Sequence, residues 1–141
     1  REMLPLCVEE KIALTPYSPL ASGRLARSKS ETSQRLDTDP IAKQKYDTTA
    51  ASDAIVIERA AEVAEKHAVP VAHIALAWML HKAPVVAPVI GATKLSHLES
   101  AVASLSVQLT LDEIAYLEEP YVPHPIVGLI PYSSQLLSAR K

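Results

Sequence analysis

The stretch that most constrains this chain is Val85 to Leu105, VVAPVIGATKLSHLESAVASL, where an apolar run meets a glycine and then a helical pattern. Val85, Val86, Ala87, Pro88, Val89 and Ile90 are enough for a strand buried on both faces and too few for a buried helix. Pro88 counts against a central strand, because proline donates no ladder hydrogen bond. Gly91 frees the backbone to turn. Ser96 and Glu99 have the spacing of a capping box, which predicts a helix from about Ser96 with Leu98, Val102 and Leu105 as its apolar positions. Lys94 then stands just before the positive end of a helix dipole, beside free amide donors, an arrangement that suits a phosphate. Taken alone, these residues fit an ordinary strand, turn and helix with a solvated lysine slightly better.

The rest of the chain extends this alternation. Glu2 to Lys11 places Met3, Leu6 and Cys7 at helical spacing, with Pro5 tolerable in the first turn. Ile12 to Tyr17, IALTPY, reads as a short strand ended by Pro16 and Pro19. Ser18 to Ala51 has no clear period and reads as a long loop. Arg24, Arg27, Lys29 and Arg35 give it a positive bias that could face an anion or simply be solvated. Ser52, as an N-cap, with Asp53 in the first turn, opens a helix carrying Val56, Ala60, Val63, Ala64 and His67 on one side. Pro70 suits the first turn of the next helix, in which Ile74 to Leu80 are apolar on every side, as in a buried helix ending near His81 and Lys82. Thr110 and Glu113 form a second capping box, for a helix through about Glu119, and the proline-rich tail from Pro120 to Lys141 reads as irregular.

Two strands separated by helices predict parallel pairing through a right-handed crossover. Two strands are too few for a stable sheet, so the pattern looks like half of a larger α/β unit. Opening at Arg1 and entering a helical pattern at once, the chain reads as a fragment or a processed chain.

Composition narrows the function. A net charge of −2 without a long basic run argues against nucleic acid and anionic membranes as partners. No apolar run approaches the roughly 18 residues of a membrane span. The core must be aliphatic, since 48% of the residues are hydrophobic but none is phenylalanine and one, Trp78, is tryptophan. The single cysteine, Cys7, excludes an internal disulfide, suits a reducing, cytoplasmic setting, and falls where a packed thiol is expected. His67, His73 and His81 include no i, i+4 pair, so no metal site is expected.

Read together, Tyr17-Ser-Pro-Leu-Ala-Ser-Gly-Arg-Leu25 and Ile90-Gly-Ala-Thr-Lys-Leu-Ser-His-Leu-Glu99 resemble two signatures of the aldo-keto reductases, and Ile74-Ala-Leu-Ala-Trp78 fits between them. The likeness runs from Arg1 to about Gly128, with a tail, Pro120-Tyr-Val-Pro-His-Pro-Ile-Val-Gly128, similar to bacterial-type reductases; residues 129–141 fall beyond it. It implies the C-terminal half of a (β/α)8 TIM barrel, an α/β fold, with residues 12–17 as strand seven, 85–90 as strand eight, and 18–51 as a loop covering the cofactor. The implied cofactor is NADPH, used to reduce aldehydes or ketones to alcohols. By this likeness Tyr17 would stack on the nicotinamide, and Ser18, Leu20, Ser22 and Gly23 would line the pyrophosphate. Gly91, Ala92, Thr93 and Lys94 would hold the adenosine phosphate, with His97 and the turn from Glu99 to Ala101 near the adenine. Barrels independently favour phosphate at the loops after strands seven and eight.

The likeness has two departures. Where many relatives carry Glu and Asn for the adenine amine, this chain has Ser100 and Ala101. The family's catalytic Asp, Tyr, Lys and His belong to early strands, and Tyr46, Tyr116, Tyr121 and Tyr132 have no Lys and His arranged around them in the family's manner. The chain is therefore expected to hold cofactor without supplying the proton donor, and to need the missing N-terminal half or self-association to cover its edges. The alternative is a non-enzymatic binding module built on the helix pair joined at Glu65 to Ile74. Its second helix, mostly apolar, reads instead as buried.

Overall fold

A computed structural model describes residues 2–26 and 39–124. The helices are α1 (Met3–Glu9), α2 (Pro40–Tyr46), α3 (Ala50–Lys66), α4 (Val71–Leu80), α5 (Leu95–Ala103) and α6 (Leu111–Glu118), with single 3-10 turns at Ala21–Gly23, Asp47–Thr49 and Ser104–Ser106. Helix α4 lies at the centre, touching α3, α5 and the turn at Ser104–Ser106. Its apolar-all-round sequence is explained by this position: His73, Ile74, Ala75, Leu76 and Ala77 are all buried. Ala60, Val63 and Ala64 of α3, Ile74 of α4 and Leu117 of α6 form one cluster, flanked by Val69, Val71, Trp78, Val107, Leu109 and Tyr116. Ile74 and Val63 are wholly inaccessible.

Polar contacts close the rim of this cluster and hold α6 to α3 and α4. The Arg59 guanidinium donates to the Tyr116 carbonyl and to Glu119, both at 2.6 Å, and lies 4.4 Å from the Tyr116 ring centroid. His67 meets Glu113 at 2.8 Å. The Trp78 indole N–H donates to Glu118 at 2.9 Å, and Lys82 donates to the same carboxylate. Burial pushes the Glu118 carboxyl up, but the bonds from Lys82 and Trp78 outweigh it and leave it below its ordinary value.

The two expected strands pair in parallel, but only as isolated bridges, Leu14 with Val85 and Tyr17 with Val89. The prolines explain why. Leu14 N–H donates to the Pro84 carbonyl at 2.6 Å, and Val86 N–H donates to the Leu14 carbonyl at 3.0 Å. The next two rungs of a parallel ladder would need N–H groups from residues 16 and 88, and both are proline. The chain skips one residue and resumes with Val89 N–H on the Pro16 carbonyl at 2.8 Å. A single-residue offset between the bridges is the result, so no continuous strand forms among the described residues.

Several expectations need correction. The reading of 18–51 as a loop without periodicity misses α2, which Asp39 caps by accepting from Ala42 N–H at 3.0 Å, with Pro40 in its first turn. Of the charges expected to bias that loop, Arg27, Lys29 and Arg35 lie outside the described residues, as does the tail from residue 125. Helix α3 begins before Ser52, which lies inside it and donates to the Thr49 carbonyl. Pro70 is the N-cap of α4 and not its first helical residue. The expected box at Ser96 does not form: Lys94 takes the extended cap conformation, α5 starts at Leu95, and Ser96 falls two positions past the cap. Leu98, Val102 and Leu105 are exposed, as are Met3 and Leu6, whereas Cys7 is buried as a packed thiol.

The box at Thr110 is real. The Thr110 hydroxyl accepts from Glu113 N–H at 3.2 Å, and the Glu113 carboxylate accepts from Thr110 N–H at 2.8 Å. Thr110→Ala should therefore cost about 1 kcal/mol in urea unfolding, while Ser96→Ala should stay within about 0.5 kcal/mol. Thr110 N–H, helped by the His67 contact and opposed by burial, holds Glu113 below its ordinary carboxylate value of 4.5. A carboxylate depressed in the folded state stabilises fully above its unfolded pKa and loses that contribution as pH falls through the folded value. Stability should thus decline below about pH 4.5, and Glu113→Gln, which keeps an acceptor but cannot titrate, should flatten that decline.

Candidate functional site

The bridge between Tyr17 and Val89 fixes the geometry of the candidate site. Because the two segments run in parallel, both chains leave it in the same direction, so the loops 18–26 and 90–94 emerge side by side from one end. Tyr17, Ser18, Leu20, Ser22 and Gly23 lie on the first path, and Gly91, Ala92, Thr93 and Lys94 on the second, with His97 in the first turn of α5.

The first loop is strained. Ser18, Ala21 and Ser22 have φ of 55°, 48° and 57°, and Gly23 has 98°. Only the glycine takes such a conformation without steric cost; for the others the cost is about 1 kcal/mol each. Backbone bonds over-determine the shape: Ala21 N–H donates to the Ser18 carbonyl at 3.0 Å, and Gly23 and Leu25 N–H both donate to the Leu20 carbonyl, at 2.8 and 3.2 Å. Pro19 is buried and Leu20 half-buried, so the loop is anchored while Tyr17, 73% accessible, stands out from it.

Three consecutive residues grip this loop from outside, of which the sequence brought only Tyr46 into view, and that only as a candidate proton donor. Lys45 donates to the Tyr17 hydroxyl at 3.3 Å, with its ammonium 5.3 Å from the ring centroid. The Arg24 guanidinium lies 4.9 Å from the Tyr46 ring centroid and pairs with Asp47 at 2.7 Å. One Arg24 nitrogen, Nη1, is buried without a partner. The Asp-Pro start of α2 was the signal that could have revealed this grip.

The second loop is open. Gly91, Ala92, Thr93, Lys94, Leu95, Ser96 and His97 are all exposed, and a Cβ at Gly91 would meet nothing within 4 Å. No side chain caps α5, so its first amides have no side-chain acceptor. Amide donors, a hydroxyl at Thr93 and an ammonium at Lys94 make a donor set suited to a phosphate. Ser100, in contrast, is engaged within the fold: its hydroxyl meets buried His73 at 2.8 Å and ties α5 to α4. No cluster of metal-ligating residues occurs among the described residues, and no described helix is long and apolar enough to cross a membrane.

This arrangement is that of an α/β protein with its candidate site outside the carboxyl ends of parallel segments, loops followed by helices. Residues 1–121 match the aldo/keto reductase family, and the chain belongs to it. Membership implies a (β/α)8 barrel, of which the described residues show helices and two bridges. Over 128 residues the chain is 41% identical to the versiconal hemiacetal acetate reductase of Aspergillus parasiticus, covering 89% of this chain and 37% of that protein. It is 37% identical to a putative aryl-alcohol dehydrogenase of Schizosaccharomyces pombe, covering 92% and 39%. It is 35% identical to the norsolorinic acid reductase of Emericella nidulans, covering 84% and 29%. The chain thus spans less than two fifths of the length of these relatives, which are fungal and lend no support to the expected bacterial-type likeness.

Gly23 is the position where strain makes the sharpest claim. Gly23→Ala, forced to hold φ near 98°, should lower stability by about 1 kcal/mol in urea unfolding; an unchanged midpoint would show that folding does not hold the loop in this shape.

Proposed function

We propose that this chain is the cofactor-binding, C-terminal part of an aldo-keto reductase barrel that uses NADPH to reduce aldehydes or ketones to alcohols. The observation that carries the reading is the Tyr17–Val89 bridge, which sets the two signature loops side by side at the carboxyl end of parallel segments. Tyr17 is the platform for the nicotinamide, Ser18, Leu20, Ser22 and Gly23 line the pyrophosphate, and Gly91, Ala92, Thr93 and Lys94 receive the adenosine phosphate, with His97 near the adenine. Such a cofactor supplies hydride to a carbonyl carbon.

The proton donor and most of the substrate pocket belong, on this reading, to the remainder of the barrel, which also covers the exposed apolar residues Ile12, Val86 and Val89. The names of the relatives described as putative aryl-alcohol dehydrogenases favour a carbonyl compound with an aromatic group as substrate. A reducing compartment such as the cytoplasm suits the free thiol of Cys7.

Titration calorimetry of the purified chain with NADPH tests the reading. Binding is expected, and Lys94→Ala should weaken it about tenfold, the scale of one charge-assisted bond to phosphate, while leaving NADH little changed. A chain that binds no dinucleotide overturns the assignment. The chain alone should not consume NADPH in the presence of an aromatic aldehyde, and consumption would refute the division of roles.

A further inference from the structure

We propose that Lys45 sets which oxidation state of the dinucleotide this site prefers, by holding a positive charge, with no carboxylate partner among the described residues, against the ring of Tyr17. The inference rests on the reading of Tyr17 as the nicotinamide platform, and adds to it a residue that neither signature contains.

Four observations converge on Lys45. Its ammonium is 5.3 Å from the Tyr17 ring centroid and donates to the Tyr17 hydroxyl at 3.3 Å, so it addresses the ring by two routes. Tyr17 is among the most exposed large side chains, 73% accessible, and is thus free to receive a flat ligand. Lys45 is half-buried and held in register by its neighbours, since Tyr46 and Asp47 both engage Arg24 of the same loop. The charges around it do not cancel it. Arg24 and Asp47 neutralise each other at 2.7 Å, and among the described residues no carboxylate pairs with Lys45.

The two forms of the cofactor differ at the ring that would lie on Tyr17: the oxidised nicotinamide carries a positive charge and the reduced one is neutral. An aromatic face attracts a cation through its quadrupole. With an ammonium already drawing on that ring, the attraction for a second cation weakens, and the two positive charges repel directly. The neutral reduced ring keeps its dispersion contact with Tyr17 and feels neither effect. Lys45 therefore lowers affinity for NADP+ while sparing NADPH, which favours release of the oxidised product after hydride transfer.

The test is the ratio of dissociation constants, NADP+ over NADPH, measured by calorimetry on the chain and on Lys45→Met and Lys45→Arg at low ionic strength. Methionine keeps much of the aliphatic stem without the charge, and circular dichroism with the urea midpoint shows whether the loop that Lys45 helps to hold stays folded, Lys45→Arg serving as the control that keeps the charge. The ratio is expected to fall about threefold to tenfold in Lys45→Met, from charges separated by a Debye length or less. It should hold in Lys45→Arg, and the difference between wild type and Lys45→Met should shrink in added salt. A ratio unchanged in Lys45→Met, with both forms still binding, overturns the role of Lys45 and leaves the cofactor reading intact. Failure of the unsubstituted chain to bind either form overturns both.

Discussion

Everything in the candidate site depends on one short backbone pairing, Leu14 and Pro16 against Pro84, Val86 and Val89. It carries few hydrogen bonds, and two prolines prevent it from carrying more. Their effect is to end the regular register after Leu14 and restart it one residue out of step at Tyr17 and Val89. The break falls immediately before the two loops. A ladder that continued unbroken would aim the residues after it by strict alternation, whereas the skipped residue resets which side each subsequent side chain faces.

So sparse a pairing cannot hold itself in place, and the helices supply what it lacks. Helix α4 is buried through its middle, α3 and α6 close on it through Ile74, Val63 and Leu117, and the Arg59, His67 and Lys82 contacts seal the rim. Stability is therefore concentrated in a helical layer that leads directly, through residues 81–84, into the second paired segment. The other side of that segment is different in character: Val86 and Val89 are exposed, as are Ile12 and the outward positions of α5. A chain with one face this well packed and another this apolar and open has a surface that favours further burial.

What the sequence made legible follows from this division. The core of α4 could be read because burial on every side leaves only apolar residues and one histidine, and the box at Thr110 because its two partners need nothing beyond their own turn. Parallel pairing was legible from the order of the elements. The missed features are those decided by competition between neighbouring positions. Ser96 and Glu99 have the same spacing as Thr110 and Glu113, but a helix that starts at Leu95, two residues before a Ser96 cap would start it, makes that spacing useless. Helix α2 was hidden because its buried contribution is one alanine, Ala42, while its larger apolar residue, Ile41, is exposed, so no apolar period marks it. The apolar residues of α5 suggested an inward face, yet they are exposed; a hydrophobic period shows that a face needs covering without showing what covers it.

The early start of α5 and the hidden α2 bear on the site in complementary ways. A helix capped by Ser96 would begin at His97, whereas α5 begins at Leu95, so its first amides follow Lys94 directly. Without the cap those amides have no side-chain acceptor, a cost to the helix of the size usually assigned to a lost N-cap, tolerable because α5 is tied to α4 at Ser100 and His73. Helix α2 meets the opposite need. The loop from Ser18 to Gly23 holds three non-glycine residues at positive φ, and strain of that kind persists only where surrounding contacts fix it. The Lys45, Tyr46 and Asp47 contacts are such a constraint, applied at both ends of the loop, to Tyr17 and to Arg24. One half of the site is thus left open by an absent cap, and the other is held in an unfavourable shape by a helix with almost no core of its own.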